Sequence, residues 1–207
     1  MIREKLESKK NENFIGCWKI NNKKLFTDLI KFFENNPQLQ SKGSIGSGLN
    51  QDKKKTTDIS IDPNDLHDER FSIFNDYLNE LFKCYQDYRS QFPFLDQNIK
   101  NVDIPSFNIQ RYNPGDHFSH VHCERNNDGQ MHRIFAWMTY LNDIKSENGN
   151  TYFPHYDLKI CPEQGKTLIW PAEWTHAHKG EILNSGLKYI ITGWMHLPFN
   201  FQVPQKV

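Results

Sequence analysis

Beyond Val102 the apolar residues recur at every second position, in runs from Phe107 to Tyr112, Phe135 to Leu141, Thr151 to Phe153, Leu158 to Ile160, Thr167 to Trp170 and Lys188 to Met195. Such alternation gives a strand two unlike faces. Asn113-Pro114-Gly115, Asn148-Gly149-Asn150, Glu163-Gln164-Gly165 and Asn184-Ser185-Gly186 separate the runs with turn residues. Many short strands joined by tight turns close into a jelly-roll-like barrel or sandwich.

The preceding half is patterned for helices. Asn21 or Asn22 can cap a helix whose apolar positions Leu25, Phe26, Leu29, Ile30 and Phe33 follow the 3.6 period, and Asn36-Pro37 ends it. Asp62-Pro63 is a second helix start, followed by the stripe Phe71, Phe74, Leu78, Leu81, Phe82, Tyr85 and Tyr88 and closed by Phe92-Pro93. Between the two, residues 41–57 hold Gly43, Gly46, Gly48 and Lys53-Lys54-Lys55, a mobile loop that is either a solvated connection or a lid over a site. The expectation is a single α+β domain over 1–207, with a mainly helical covering region (1–100) and a jelly-roll core (101–200).

Twenty-five basic residues balance 25 acidic ones, so no general attraction to nucleic acid or anionic membrane is expected. Met1-Ile2-Arg3-Glu4-Lys5 is charged where a signal peptide is apolar, and no apolar run is long enough to span a bilayer. Cys17, Cys84, Cys123 and Cys161 lack a C-x-x-C spacing and are expected as reduced thiols. These features predict a soluble, cytoplasmic protein.

The chemistry concentrates around Tyr112 to Arg125. In an extended strand His122 and Glu124 point to the same side and can reach one ion, with a third ligand from Thr175-His176-Ala177-His178-Lys179-Gly180. Two imidazoles and one carboxylate leave three positions open on a metal, which suits Fe(II) that also binds a chelating cosubstrate and dioxygen. Lys188 falls on the same side of its run as Ile190, Thr192 and Trp194. An inward ammonium needs an anion, so Lys188 is either a carboxylate clamp or an edge-strand lysine that snorkels to water.

Four segments, in order, resemble the prolyl-4-hydroxylase-like branch of the Fe(II)/2-oxoglutarate-dependent dioxygenases. They are Tyr112-Asn113-Pro114-Gly115 with His122-Cys123-Glu124 ten residues after the tyrosine; Arg133 with Tyr140-Leu141-Asn142; Asn148-Gly149-Asn150-Thr151-Tyr152-Phe153-Pro154; and His178-Lys179-Gly180, with Lys188 ten residues after that histidine and Trp194 six further on. The resemblance implies a double-stranded β-helix (jelly-roll) fold and iron ligands His122, Glu124 and His178. It implies that Lys188 pairs with the distal carboxylate of 2-oxoglutarate, that Tyr112 and Tyr140 donate into the cosubstrate pocket, and that Thr192 and Trp194 line it. It implies Fe(II), 2-oxoglutarate, O2 and, as an accessory, ascorbate, acting on a peptide, protein or small-molecule substrate. Glu124 stands where most members have Asp, and Asn148 where glycine is usual.

A cupin-type metal-binding barrel is the alternative, using His120, His122, Glu124 and His176, although its first motif needs three or four residues between the second His and the Glu and here there is one. A barrel without chemistry is a third possibility. His117, His132 and His155 are expected at the surface, and Cys123 on the strand face opposite the ligands. Arg125 and Arg133 are substrate anchors or structural ion pairs, and Trp170 and Trp174 either wall a groove or fill the core.

Overall fold

The computed structural model describes residues 1–4, 6, 13–46, 48–144 and 148–198. In chain order the elements are β1 (Ile2–Glu4), β2 (Gly16–Lys19), α1 (Lys23–Asn35), β3 (Ser41–Lys42), β4 (Thr57–Ile61), α2 (Ser72–Ser90) and α3 (Pro93–Asn98). They continue with β5 (Phe107–Tyr112), β6 (Phe118–His122), β7 (Arg133–Tyr140), β8 (Thr151–Phe153), β9 (Leu158–Ile160), β10 (Lys166–Pro171), β11 (His178–Gly180) and β12 (Lys188–His196). An eight-stranded sheet runs β1-β2-β10-β7-β12-β5-β4-β3, and a four-stranded sheet runs β6-β11-β8-β9, with antiparallel pairing throughout.

The period-two pattern sorts two cores. From β7, Phe135 and Trp137 face the helices, as do Tyr189, Ile191 and Met195 of β12; they pack with Phe26, Leu29 and Phe33 of α1 and Phe74, Tyr77, Leu81 and Tyr85 of α2. The alternate residues Ala136, Met138, Tyr140 and Ile190 lie between the sheets with Phe153, Tyr156, Leu158 and Ile160. This is the α+β jelly-roll with helices over one face.

α1 matches its expected limits, with the Asn22 side chain accepting from Leu25 N. The second helix begins later than expected. Asp62 caps a 3-10 turn, Pro63–His67, a second turn covers Glu69–Phe71, and α2 starts only at Ser72. Phe82 is 47% exposed rather than part of the buried stripe, and Tyr77 takes a core position, its hydroxyl bonded to Thr139 Oγ1 at 2.8 Å.

Residues 1–100 supply four strands besides their helices. The 41–57 stretch, expected as an open loop, is strand at Ser41–Lys42 and is bridged to the core through Lys55 and His117; Ser47 lies outside the described residues. Its glycine at 43 has a packing reason, since a Cβ there would stand 1.9 Å from Thr56 Oγ1. Lys54 is buried against Asp58, Nζ to Oδ2 2.7 Å, so only part of the lysine run is solvated. Among the described residues no helix is long and apolar enough to cross a membrane, and all four cysteines are free thiols.

Candidate active site

β6 and β11 place two histidines directly across from one another, with His178 in register with His122. Glu124 follows two residues after β6 ends, anchored by its backbone N–H to Ala172 O at 3.1 Å. His122, Glu124 and His178 each bring one ligand atom to within 4.8 Å of the others. Glu124 Oε1 is 3.5 Å from His122 Nε2 and 3.3 Å from His178 Nε2.

The ring orientations are fixed from behind. His122 Nδ1 lies 2.8 Å from His120 O and His178 Nδ1 lies 3.0 Å from His176 O. A carbonyl only accepts, so both rings carry their proton on Nδ1 and present the Nε2 lone pair to the common point. Phe118 stacks on His122 with centroids 3.8 Å apart, and Trp170 stands edge-on to His178 at 5.0 Å. Burial alone would raise the Glu124 carboxyl; when the two rings also hold a proton on Nε2, their charge and their hydrogen bonds to Oε1 keep it well below the usual carboxylate range, and a bound ion takes the place of those protons.

Glu124 is steered at its other oxygen. Trp194 Nε1 donates to Oε2 at 2.7 Å, the Arg133 guanidinium lies 3.7 Å over the Trp194 ring, and Arg133 Nη1 donates to Glu124 O at 3.1 Å. Arg133, which the sequence left as substrate anchor or structural ion pair, therefore backs the carboxylate. The longer Glu arm is held so that one oxygen faces the histidines. A chelating His/His/carboxylate set with oriented Nε2 atoms fits a divalent iron with open positions.

A cavity of about 750 Å³ opens from this triad and runs along the large sheet. Lys188 is among its lining residues, 2% exposed, with Nζ donating to Gly149 O at 2.7 Å and sitting 4.1 Å over the Tyr112 ring. Burial depresses it to about 7, against a smaller opposing effect of Glu181. Among the described residues no carboxylate pairs with this buried cation, and with Thr151 in the same cavity lining it fits the distal carboxylate of a dianionic cosubstrate. Thr192 and Trp194 also line the cavity.

The two tyrosines are engaged differently from what the sequence suggests. Tyr140 OH bonds Thr151 Oγ1 at 2.7 Å and donates to Ile160 O at 3.3 Å, so Thr151 is the group that borders the cavity at this point. Tyr112 lines the cavity, but its hydroxyl donates to Gln110 Oε1 at 3.1 Å. Cys123 also borders the cavity, contrary to the strand-face expectation, because β6 stops at His122 and alternation lapses there.

The cupin ligand set is not assembled. His120 is exposed at the cavity mouth, and His176 is buried against Tyr156 OH at 3.3 Å and Thr175 Oγ1 at 2.9 Å, with burial and then the neighbouring His178 and His155 depressing it to about 4. Trp170 is buried in the cavity wall, whereas Trp174 is 67% exposed. Sequence reasoning did not single out Asp58, Gln110, Thr151 or Phe118 as site residues, although Gln110 and Thr151 fall in runs it reads as strand and Thr151 also in a segment of the family resemblance; for Asp58 the alternation in Thr57-Asp58-Ile59-Ser60-Ile61 was the local signal.

Residues 107–196 match the family model of the 2OG-Fe(II) oxygenase superfamily. No curated protein matches the sequence significantly. Among solved structures, a Pseudomonas putida prolyl-4-hydroxylase superposes with a TM-score of 0.68 at 14% identity, covering 90% of this chain and 94% of that one. A Trichoplax adhaerens prolyl hydroxylase in complex with a hypoxia inducible factor oxygen degradation domain peptide fragment gives 0.67 at 19% identity, over 90% and 85%. The viral collagen prolyl hydroxylase of Paramecium Bursaria Chlorella virus-1 in its 2OG complex gives 0.61 at 18%, over 88% and 96%. These likenesses establish the fold.

Proposed function

The chain belongs, through residues 107–196, to the 2OG-Fe(II) oxygenase superfamily, and from that premise we propose that it hydroxylates a prolyl residue of a peptide or protein. It is a 2-oxoglutarate-dependent oxygenase. When bound, Fe(II) supplies the redox chemistry by which dioxygen is split, one atom going with the decarboxylation of 2-oxoglutarate to succinate and CO2 and the other into a substrate C–H bond.

In this proposal His122, Glu124 and His178 hold the iron, Lys188 and Thr151 hold the distal carboxylate of 2-oxoglutarate, and Thr192 stands along the cosubstrate wall. Trp194 and Arg133 orient Glu124. The observation that carries the assignment is the placement in one cavity of the triad and of the buried Lys188, which pairs with no carboxylate among the described residues. A metal site without a cosubstrate role, as in the cupin alternative, leaves that lysine without a purpose. For a peptide substrate, the support is the lining at the open side, where Asn108, Asn126, Asn127 and Gln130 offer carboxamide donors and acceptors that suit a main chain. We also infer one domain over 1–207, a cytoplasmic location in keeping with four free thiols, and ascorbate as accessory reductant.

The test is to incubate Fe(II), 2-oxoglutarate and O2 with proline-containing peptides and with free amino acids, following succinate and a mass gain of one oxygen. Turnover with peptides supports the proposal. Turnover of small molecules alone refutes the prolyl-peptide assignment.

A further inference from the structure

Strand pairing sets Asp58 beside Gln110 and Gln110 beside Ile190, one row along from the pair Tyr112 and Lys188. Asp58 is buried and accepts three hydrogen bonds: Thr56 Oγ1 on Oδ1 at 2.7 Å, and Lys54 Nζ at 2.7 Å and Gln110 Nε2 at 3.2 Å on Oδ2. Tyr112 OH completes the chain on Gln110 Oε1 at 3.1 Å.

The direction of this chain is dictated at its buried end. A carboxylate paired with an ammonium can only accept, so the amide of Gln110 must turn its NH2 to Asp58; the reverse orientation would set two acceptors against each other. Gln110 Oε1 then faces Tyr112, and Tyr112 must donate to it. Its one proton is spent inside the wall, and its oxygen shows the cavity only lone pairs. Turning that proton toward a ligand would leave Gln110 Oε1 unsatisfied beside a fixed neighbour, a cost comparable to the bond gained.

We propose that Asp58, acting through Gln110, is a positioning residue that locks Tyr112 as a hydrogen-bond acceptor, so that Lys188 binds the cosubstrate carboxylate without help from the adjacent phenol. The inference rests on the 2-oxoglutarate binding proposed above. Its consequence is opposite in sign to the ordinary expectation for a tyrosine beside a carboxylate subsite. Removing the competitor for the Tyr112 proton releases the phenol to donate to the carboxylate on Lys188, and 2-oxoglutarate binds more tightly.

Calorimetric titration of 2-oxoglutarate into Mn(II)-loaded protein at pH 6.5 tests this without turnover. Gln110→Met, which leaves the Lys54 and Asp58 pair intact, is expected to tighten binding by roughly tenfold or more, the gain of one hydrogen bond to a charged group. Tyr112→Phe alone stays within twofold of wild type, and the Gln110→Met/Tyr112→Phe double variant loses the gain. Asp58→Asn, which lets the Gln110 amide reverse, serves as a second variant and tightens binding in the same direction. Weaker binding in Tyr112→Phe with no gain in Gln110→Met or Asp58→Asn overturns the inference while leaving the functional proposal standing. Wild-type protein that binds Mn(II) and no 2-oxoglutarate refutes the functional proposal and this inference with it.

Discussion

Lys188 should make cosubstrate affinity depend on pH, and its burial sets the range. The carboxylate binds the ammonium form, and burial pushes the free lysine down to about 7. Below that value the cation is already present; as pH rises through it, binding must also draw a proton from solution. About nine-tenths of the sites are protonated at pH 6 and about one-tenth at pH 8, so 2-oxoglutarate affinity should fall roughly tenfold across that span, about 1.4 kcal/mol. Calorimetry on Mn(II)-loaded protein in buffers of different ionisation enthalpy should show uptake of close to one proton per ligand at pH 8 and almost none at pH 6. Lys188→Met should weaken binding at pH 6 by about 2 to 5 kcal/mol, the usual cost of truncating a buried charge pair, and should abolish the pH dependence assigned to the lysine. Any slope that survives in Lys188→Met belongs to the metal ligands. Equal affinity of the wild type at pH 6 and 8 with no proton uptake would refute the assignment of Lys188 as the carboxylate partner.

Three further outcomes are expected. His122→Ala and His178→Ala should abolish stoichiometric Fe(II) binding measured anaerobically, whereas His120→Ala should bind normally and His176→Ala should retain iron with reduced stability, because only the backbone carbonyl of His176 touches a ligand. Trp194→Phe keeps a ring under Arg133 but removes the 2.7 Å bond to Glu124, and should weaken metal affinity roughly 10- to 100-fold in a competition titration; an unchanged affinity would show that Glu124 holds its pose unaided. Gly193→Ala should lower the melting temperature by about 2 to 4 °C per kcal/mol of an expected ~1 to 3 kcal/mol, since its Cβ would stand 2.7 Å from Phe107 Cβ and from Trp137 Cζ2; a Tm equal to wild type would show that the sheet yields there.

The strands of the catalytic half were legible where they are long and half-buried. Residues 135–141 and 188–195 alternate because one face meets the helices and the other the cavity, and those runs fall within a residue or two of β7 and β12. β6 was legible only through the spacing of His122 and Glu124, because Phe118-Ser119-His120-Val121-His122 is partly or fully exposed along its length and carries no apolar alternation. β2 is four residues and β3 two, too short for a period to register. The cluster of His122, Glu124 and His178, which could hold a metal ion, could be picked out from ordered spacing, since each member sits in a segment with its own turn or strand signal. The partners that decide how Tyr112 and Glu124 behave were less legible: Arg133 was named without its partner, and Gln110 and Asp58 matter through hydrogen bonds across strands that no local pattern encodes.

The sorting of alternate residues in β7 and β12 means that the protein carries two nearly independent sequences written on one backbone. Odd positions of β12 answer to the helices and even positions to the cavity. Variation that reshapes the pocket can therefore accumulate at Ile190 or Thr192 without disturbing the helix contacts of Tyr189 and Ile191. An insertion of one residue just before Lys188 would do the reverse, sending the lysine toward α1 in the place of Tyr189 and the Tyr189 phenol into the cavity in the place of Ile190. Descendants of this chain can be retuned by substitution within β12, and are vulnerable there to a change in length.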